Sequence, residues 1–431
     1  MNAEPGLNVE QWRTLAHRFD AETVRPGWAV EPDLPRAEYE LRLARARERM
    51  VAEHLDALVI TSSSVGGWFT GQPEPAEWHD QCESRANFFV LTGTTDHLFM
   101  APTVAGERLS SARRRTWVSE IVGVVESSRS PRSELWDIEQ VPHLLADLGL
   151  ASARIGFELG EHTTLGMCVL DFLRLRELMP GAELVDGSPV VRWLMSHLTP
   201  FEVDRLRKAC VAGAWVHDQV PRFLRVGLTE RQLADNLARA LAEQFDPEDG
   251  YGYDPEGGWS VGTTSGLPDP YHVVPTDRPY QAGDLVFRGL SGAMYRGYAA
   301  DIDRDWYLGR PPMIIHDWYR MTWESNRAMA AVLRPGITAA DVSAAGAAVE
   351  ARFGLWERTT GRTGHGYRNT GGLSVFPGCR TVLEPGMVIS VEPIYHTPYG
   401  QFDLEDQYLI TETGAECLHE PAPEQLPVVD A

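Results

Sequence analysis

The chain is predicted to hold two domains, an α/β domain followed by a second unit of helices and strands, and three observations carry that prediction. Its 431 residues exceed what one hydrophobic core usually serves. Up to about residue 190, short apolar runs alternate with stretches of helical periodicity, the mark of an α/β unit. Beyond that point helices, strands, two further helices and a strand-rich tail follow in blocks rather than in alternation.

Residues 1–36 are polar and proline-punctuated and read as an arm or partner-wrapping segment. From Glu38, "EYELRLARARERMVAEHLD" places Leu41, Ala44, Arg45 and Glu48 at helical spacing, with Met50 and Val51 closing the stripe. "ALVITSS" reads as a strand, and "NFFVLTGTTDHLFMAP" as two more around a Gly-Thr turn. "RIGFELG" is a buried strand, then a helix runs through "LGMCVLDFLRLRELM" to an edge strand, "AELVDG". The second unit opens with Thr199 as N-cap, Pro200 at the first helical position and Glu202 in the first turn. That helix is expected to end near Gly227, and Thr229 caps the next. A Gly, Asp, Pro and aromatic loop covers 246–266, strands run to Gly309, helices cover 314–333 and 339–353, and the tail is strand-rich. The boundaries are therefore 1–36 for the arm, 37–192 for the amino-terminal domain and 193–431 for the carboxy-terminal domain. No internal repeat is apparent along the chain.

A formal charge of −22 repels nucleic acid and anionic lipid and aids solubility. No apolar run is long enough to cross a membrane, and the first residues lack the pattern of a secretory signal. Five scattered cysteines without disulfide or metal-ligand spacing fit a reducing cytoplasm.

Four stretches of the second unit carry residues fit for chemistry. "PDPYHVVP" offers His272 between prolines, and "RTGHGYRN" offers His365 between glycines, where backbone can approach closely. "YAADIDRD" places Asp301, Asp303 and Asp305 on one face of a strand, because side chains alternate with period two. "MVISVEPIY" and "QFDLEDQYLI" carry Glu392 and Glu405 among apolar residues. A lone His between glycines is more often a turn residue, and "DIDRD" alone could be a solvated face. Carboxylates buried in apolar strands are harder to dismiss, because each costs several kcal/mol without a partner. Together they call for a shared cation.

The order of these segments resembles the creatinase, prolidase and methionine aminopeptidase superfamily, the pita-bread fold. "GDLVFRGLSGAMYRGYAADIDRDWYLG" is similar to its metal-binding hairpin, "TGHGY" to its histidine segment, and "LEPGMVISVEPIY" and "FDLEDQYLIT" to its two glutamate segments. "EYELRLARARERMVAEHLDALVITSS" and "ARIGFELG" resemble the creatinase/prolidase amino-terminal domain. The resemblance implies a duplicated α+β carboxy-terminal domain with a curved antiparallel sheet, the site in its cavity, and a homodimer. It implies Asp301, His365, Glu392 and Glu405 as metal ligands and His272 as a substrate-touching histidine. In such dimers the amino-terminal domain reaches the neighbour's site, which draws attention to Trp78, His79 and Arg85.

Two departures from the family pattern matter. The first aspartate of the metal hairpin is missing, its arm holding Arg288, Gly289 and Leu290 and running one residue longer. The second histidine of the peptidases is replaced by "NTGGLS". Loss of a terminal carboxylate disfavours a two-metal site. The remaining set suits one Mn, Fe, Co or Zn. Without metal, the crowded carboxylates would need Arg288 or a cationic substrate.

Creatinase, which keeps the fold without the metal ligands, sets the expected activity. That activity is a hydrolase, or a lyase, cleaving a C–N or related bond of a small cationic or zwitterionic metabolite. Asp303 and Glu392 would hold the substrate, His272 or His365 would relay a proton, and Tyr253 and Trp259 of the 246–266 loop would form an aromatic wall beside Tyr251. A metal-dependent Xaa-Pro aminopeptidase or dipeptidase is the alternative, and a non-catalytic binding module on the same fold is the third.

Overall fold

The computed structural model describes residues 33–71, 87–100, 116–123, 138–253, 261–263, 275–289, 292–355, 361–367 and 372–431. The chain divides into two compact units between Leu194 and Met195.

The first unit runs α1 (Arg36–Ala52), β1 (Ala57–Ile60), α2 (Ser63–Thr70), β2 (Phe88–Thr92), β3 (Asp96–Met100), β4 (Glu120–Gly123), α3 (Val141–Asp147), β5 (Arg154–Phe157), α4 (Val169–Leu178) and β6 (Glu183–Asp186). Its six strands form one mixed sheet in the order β4-β3-β2-β1-β5-β6, so "AELVDG" is the edge strand the sequence suggests. Val59, Phe88, Val90 and Phe157 of the sheet pack with Leu144 and Leu145 of α3 and Leu175 of α4 to form the core of this unit. The buried stripe of α1 differs from the expected one. Tyr39, Leu43, Ala46 and Met50 face inward, spaced four, three and four residues apart, while Leu41 and Val51 are exposed. Both lines have helical spacing, and the one through Tyr39, Leu43 and Met50 carries the larger apolar side chains and is the one buried.

A helix α5 (Ser188–Ser196) leads into the second unit. There α6 (Pro200–Phe223) and α7 (Glu230–Gln244) precede β7 (Tyr251–Tyr253), β8 (Val261–Thr263), β9 (Leu285–Arg288), β10 (Ala293–Tyr295), β11 (Tyr298–Ala299) and β12 (Arg304–Leu308). A second helix pair, α8 (Met313–Val332) and α9 (Ala339–Phe353), precedes β13 (Gly364–Gly366), β14 (Val388–Val391), β15 (Ile394–Thr397), β16 (Gly400–Asp403), β17 (Asp406–Ile410), β18 (Ala415–Cys417) and β19 (Val428–Val429). Among the described strands of this unit all pairings are antiparallel except β12 with β19. The 246–266 loop contains β7 and β8. Tyr251 is held in β7, its ring 5.0 Å from Phe245 and 4.8 Å from Tyr295, so it packs the fold instead of lining a wall.

The capping expected at Thr199 is present in full. Its hydroxyl accepts from the Glu202 amide and the Glu202 carboxylate accepts from the Thr199 amide, an arrangement worth about 1 kcal/mol. The helix ends at Phe223, short of Gly227, because Leu224 turns extended and the Gly227 amide donates to the Tyr280 carbonyl.

The unit is duplicated, although no repeat stands out along the whole chain. "LRVGLT" at 224–229 and "LRPGIT" at 333–338 occupy matching turns. Gly227 and Gly336 have φ of 85° and 87°. Their amides donate to Tyr280 and Leu383 at 2.9 Å, and the Tyr280 and Leu383 amides donate back to Leu228 and Ile337. Thr229 and Thr338 then open the second helix of each pair with the same capping box.

Candidate metal and active site

The site forms where the two halves of the second unit meet across one isolated bridge. The Asp303 amide donates to the Glu405 carbonyl (3.4 Å) and the Glu405 amide donates back to Asp303 (3.2 Å). This brings the end of the "ADID" arm against the start of β17. Buried Arg304 holds the junction, its Nη1 donating to the carbonyls of Asp303 (2.8 Å) and Glu405 (2.7 Å). Gln407 Oε1 accepts from the Asp301 amide at 3.0 Å. The ladder begins only at Arg304, so Asp301 precedes the strand and the expected single-face triplet is divided. Asp301 and Asp303 join different groups, and the Asp305 carboxylate turns to the Asp403 amide (3.0 Å).

His365 lies in β13 opposite Ser390 of β14. A Cβ at Gly364 would lie 2.2 Å from the Ser390 carbonyl oxygen, so only glycine lets the two strands close here. His365 Nδ1 donates to the Gly366 carbonyl at 2.8 Å, which fixes the ring and aims Nε2 away from it. Nε2 faces Asp301 Oδ2 at 3.6 Å, Glu392 Oε2 at 3.7 Å and Glu405 Oε1 at 3.4 Å. The imidazole nitrogen and three carboxylates converge at distances suited to ligands around a small cation.

The four residues expected as ligands therefore do come together. Asp301, His365 and Glu405 each offer a ligand atom within 4.8 Å of the others, and Glu392 stands at the edge of the group. Asp301 Oδ1 and Glu405 Oε1 are buried without hydrogen-bond partners among the described residues. This donor set, one imidazole with carboxylates, fits a divalent transition metal.

Beside this group lies a second one that the sequence reading missed. Asp303, Glu392 and Asp403 also offer ligand atoms within 4.8 Å of one another. Asp403 lies two residues before Glu405, the same period-two spacing that singled out Asp301 and Asp303, and that was the available signal. Arg304 and Gln407 were also missed, although an arginine in an apolar strand is as expensive as a carboxylate.

Burial pushes the Glu405, Asp403 and Asp305 carboxyls well above their usual range. The Asp301 charge adds to this at Glu405, and the Asp303 charge at Asp403. Burial also raises Glu392, against the pull of His365 and Arg362. Without added positive charge these acids cannot all ionise together.

Of the other candidates, His272, Trp259, Trp78, His79 and Arg85 lie outside the described residues, and for Tyr253 and Arg288 only the backbone is described. Arg288 pairs with Arg304 across the β9–β12 ladder.

Comparison with known proteins agrees with this architecture. Residues 204–412 match the metallopeptidase family M24, and residues 42–194 match the creatinase/prolidase N-terminal domain. The probable dipeptidase PepE of Mycobacterium tuberculosis is 34% identical over 284 residues, covering 63% of this chain and 72% of that protein. The chain belongs to the creatinase/prolidase/M24 superfamily. Its fold is the creatinase amino-terminal domain joined to an M24 pita-bread domain. Members of the superfamily are hydrolases acting on C–N bonds, peptide bonds among them. The ectoine hydrolase of Halomonas elongata is 26% identical over 410 residues, covering 90% of this chain and 97% of that enzyme. The crystal structure of dipeptidase PepE from Mycobacterium ulcerans superposes with a TM-score of 0.71 at 28% identity, over 93% of this chain and all of that one. No described helix is long and apolar enough to cross a membrane.

Proposed function

We propose that the protein is a creatinase-like hydrolase that cleaves a C–N bond in a small cationic or zwitterionic metabolite. The observation carrying this reading is the surplus of negative charge in the cavity. Asp301, Asp303, Glu392, Asp403 and Glu405 gather there, while Arg304 is paired with Asp406 and Arg362 with Glu392. One divalent ion would offset fewer charges than these five carboxylates can carry. A positive group on the substrate relieves the remainder.

A divalent metal, when bound by Asp301, His365 and Glu405, supplies the Lewis acidity that makes water nucleophilic near neutral pH. The chain's own residues do the rest. His365, its ring fixed by the Gly366 carbonyl, aims Nε2 at the carboxylates and suits the role of a ligand. Glu392, its carboxyl raised by burial and its side chain 12% exposed, suits transfer of a proton from water to the leaving nitrogen. Gln407 and Arg304 fix the backbone that aims Asp301, Asp303 and Glu405.

The near full-length match to ectoine hydrolase supports the reading. So does the absence of a histidine from Arg368 to Ser374. The PepE similarity favours a second reading, a metal-dependent dipeptidase. Assay of manganese-loaded protein against cyclic amidines, guanidino acids and Xaa-Pro dipeptides separates the two. We expect kcat/KM for an amidine or guanidino compound to exceed that for any dipeptide by about tenfold or more. The reverse order overturns the proposal, as does efficient turnover of uncharged amides.

A further inference from the structure

The family's first metal-binding aspartate is missing from the arm that holds Gly289, and the structure places a carboxylate opposite that glycine. In the β9–β12 ladder Arg288 faces Arg304, so the next position, Gly289, faces Asp303. A Cβ on Gly289 would lie 2.9 Å from Asp303 Oδ1. The Phe287 ring, 2.7 Å from the same point, and the Asp303 carboxylate together fill the room that a side chain at 289 would need. A carboxylate therefore lies beside this arm from the neighbouring strand.

Its companions are Glu392 and Asp403. Asp403 is 1% exposed, and its Oδ2 accepts from Gln401 Nε2 at 3.1 Å. Its Oδ1 is buried without a hydrogen-bond partner among the described residues, which is costly unless something else binds it. Arg362 lies 3.5 Å from Glu392 Oε2 and is itself 43% exposed, so solvent screens its charge. Three carboxylate oxygens mutually within 4.8 Å match the spacing of donors on opposite or adjacent vertices around one small ion. Glu392 belongs to this trio and lies 3.7 Å from His365 of the first group, so it stands between the two.

We propose that Asp303, Glu392 and Asp403 form a second divalent-cation site, beside the one at Asp301, His365 and Glu405 and joined to it through Glu392. Its all-oxygen donors select a hard ion such as Mn²⁺ or Mg²⁺ over Zn²⁺. The site departs from the ligand set that the family resemblance implies, since its terminal ligands are Asp303 and Asp403. Asp303 becomes an ion ligand in place of the substrate contact expected from sequence. The inference is independent of which substrate is cleaved.

The test counts ions. Full-length protein is stripped with chelator, equilibrated with Mn²⁺, desalted and analysed by mass spectrometry for metal content, with electron paramagnetic resonance on the same samples. Wild type should hold about two Mn²⁺ per chain and show exchange coupling between them. Asp403→Asn and Asp303→Asn should each hold about one and show an uncoupled spectrum. If one variant fails to fold, the other and the wild-type count still decide. One ion per wild-type chain overturns the proposal, and so do two coupled ions retained in both variants. A single ion together with guanidinium binding that Asp403→Asn abolishes also overturns it, and assigns the trio to an organic cation.

Discussion

Asp403 and Asp406 lie at either end of the short connection between β16 and β17, both buried, with opposite surroundings. Asp406 accepts from Arg304 Nη2 at 2.8 Å and from the Ala422 amide at 3.3 Å, and it is ion-paired with Arg327. Burial alone would raise its carboxyl, yet Arg304, His419 and Arg327 hold it below the usual range. Asp403 has the Gln401 amide and otherwise faces Asp303, Glu392 and Asp305, which add to burial in pushing it far above that range. On one side of the strand the chain supplies its own counter-charge. On the other it leaves the charge for something that binds. Burial of an acid therefore says little about its role until its counter-ion is identified.

The comparison predicts its largest effect at Asp406→Asn. That change leaves Arg304 and Arg327 without their carboxylate, and breaking a buried pair from one side costs about 3–5 kcal/mol. Urea unfolding of the metal-free proteins measures it. A loss under about 1 kcal/mol would remove the distinction between the two sides.

His419, on the same side as Asp406, gives the next effect and a pH signature. Its Nε2 accepts from the Gln407 amide at 3.1 Å and its Nδ1 donates to the Glu420 carbonyl at 2.9 Å, so both ring atoms are used by the neutral form. Burial drives its pKa from 6.5 to about 4. The unfolded chain then binds the extra proton between those values, and stability falls as pH drops through that window. His419 contributes its full share above pH 6.5 and loses roughly 3 kcal/mol by pH 4. In His419→Gln that part of the slope should vanish from chemical denaturation measured pH by pH. An unchanged slope would place the acid sensitivity elsewhere.

How far the site could be read from sequence follows the same division. Asp301, His365, Glu392 and Glu405 stood out because each sits in a local pattern, a GHG triplet or an acid within an apolar strand, and the structure brings them together. Thr199, Thr229 and the second helix pair were legible for the same reason, since capping and periodicity are local. Asp403 carried the same period-two signal beside Glu405, but its meeting with Asp303 and Glu392 depends on how the strands are brought together. Nor could the sequence show that Asp303 faces Gly289, which depends on the β9–β12 register. The inward face of α1 was misjudged for a different reason. Its mean character is polar, and the buried line through Tyr39, Leu43, Ala46 and Met50 includes two small or flexible residues that carry little apolar signal.

Asp403→Asn supplies the smallest effect and the opposite sign. In metal-free protein it removes one member of a group of mutually repelling acids while keeping the amide oxygen and nearly the same volume. Gln401 Nε2 can go on donating to that oxygen. The variant should therefore be more stable than wild type by on the order of 1 kcal/mol at neutral pH. Adding Mn²⁺ should reverse the ranking, because ligand binding stabilises the native state in proportion to ln(1 + [L]/Kd), and wild type has the tighter or additional site. Paired melting curves with and without Mn²⁺ read both signs in one experiment. Asp406→Asn should show no such reversal, since its missing charge was neutralised by arginine and not by an ion. A variant at Asp403 that destabilises metal-free protein as strongly as Asp406→Asn would mean that both acids serve the fold alike.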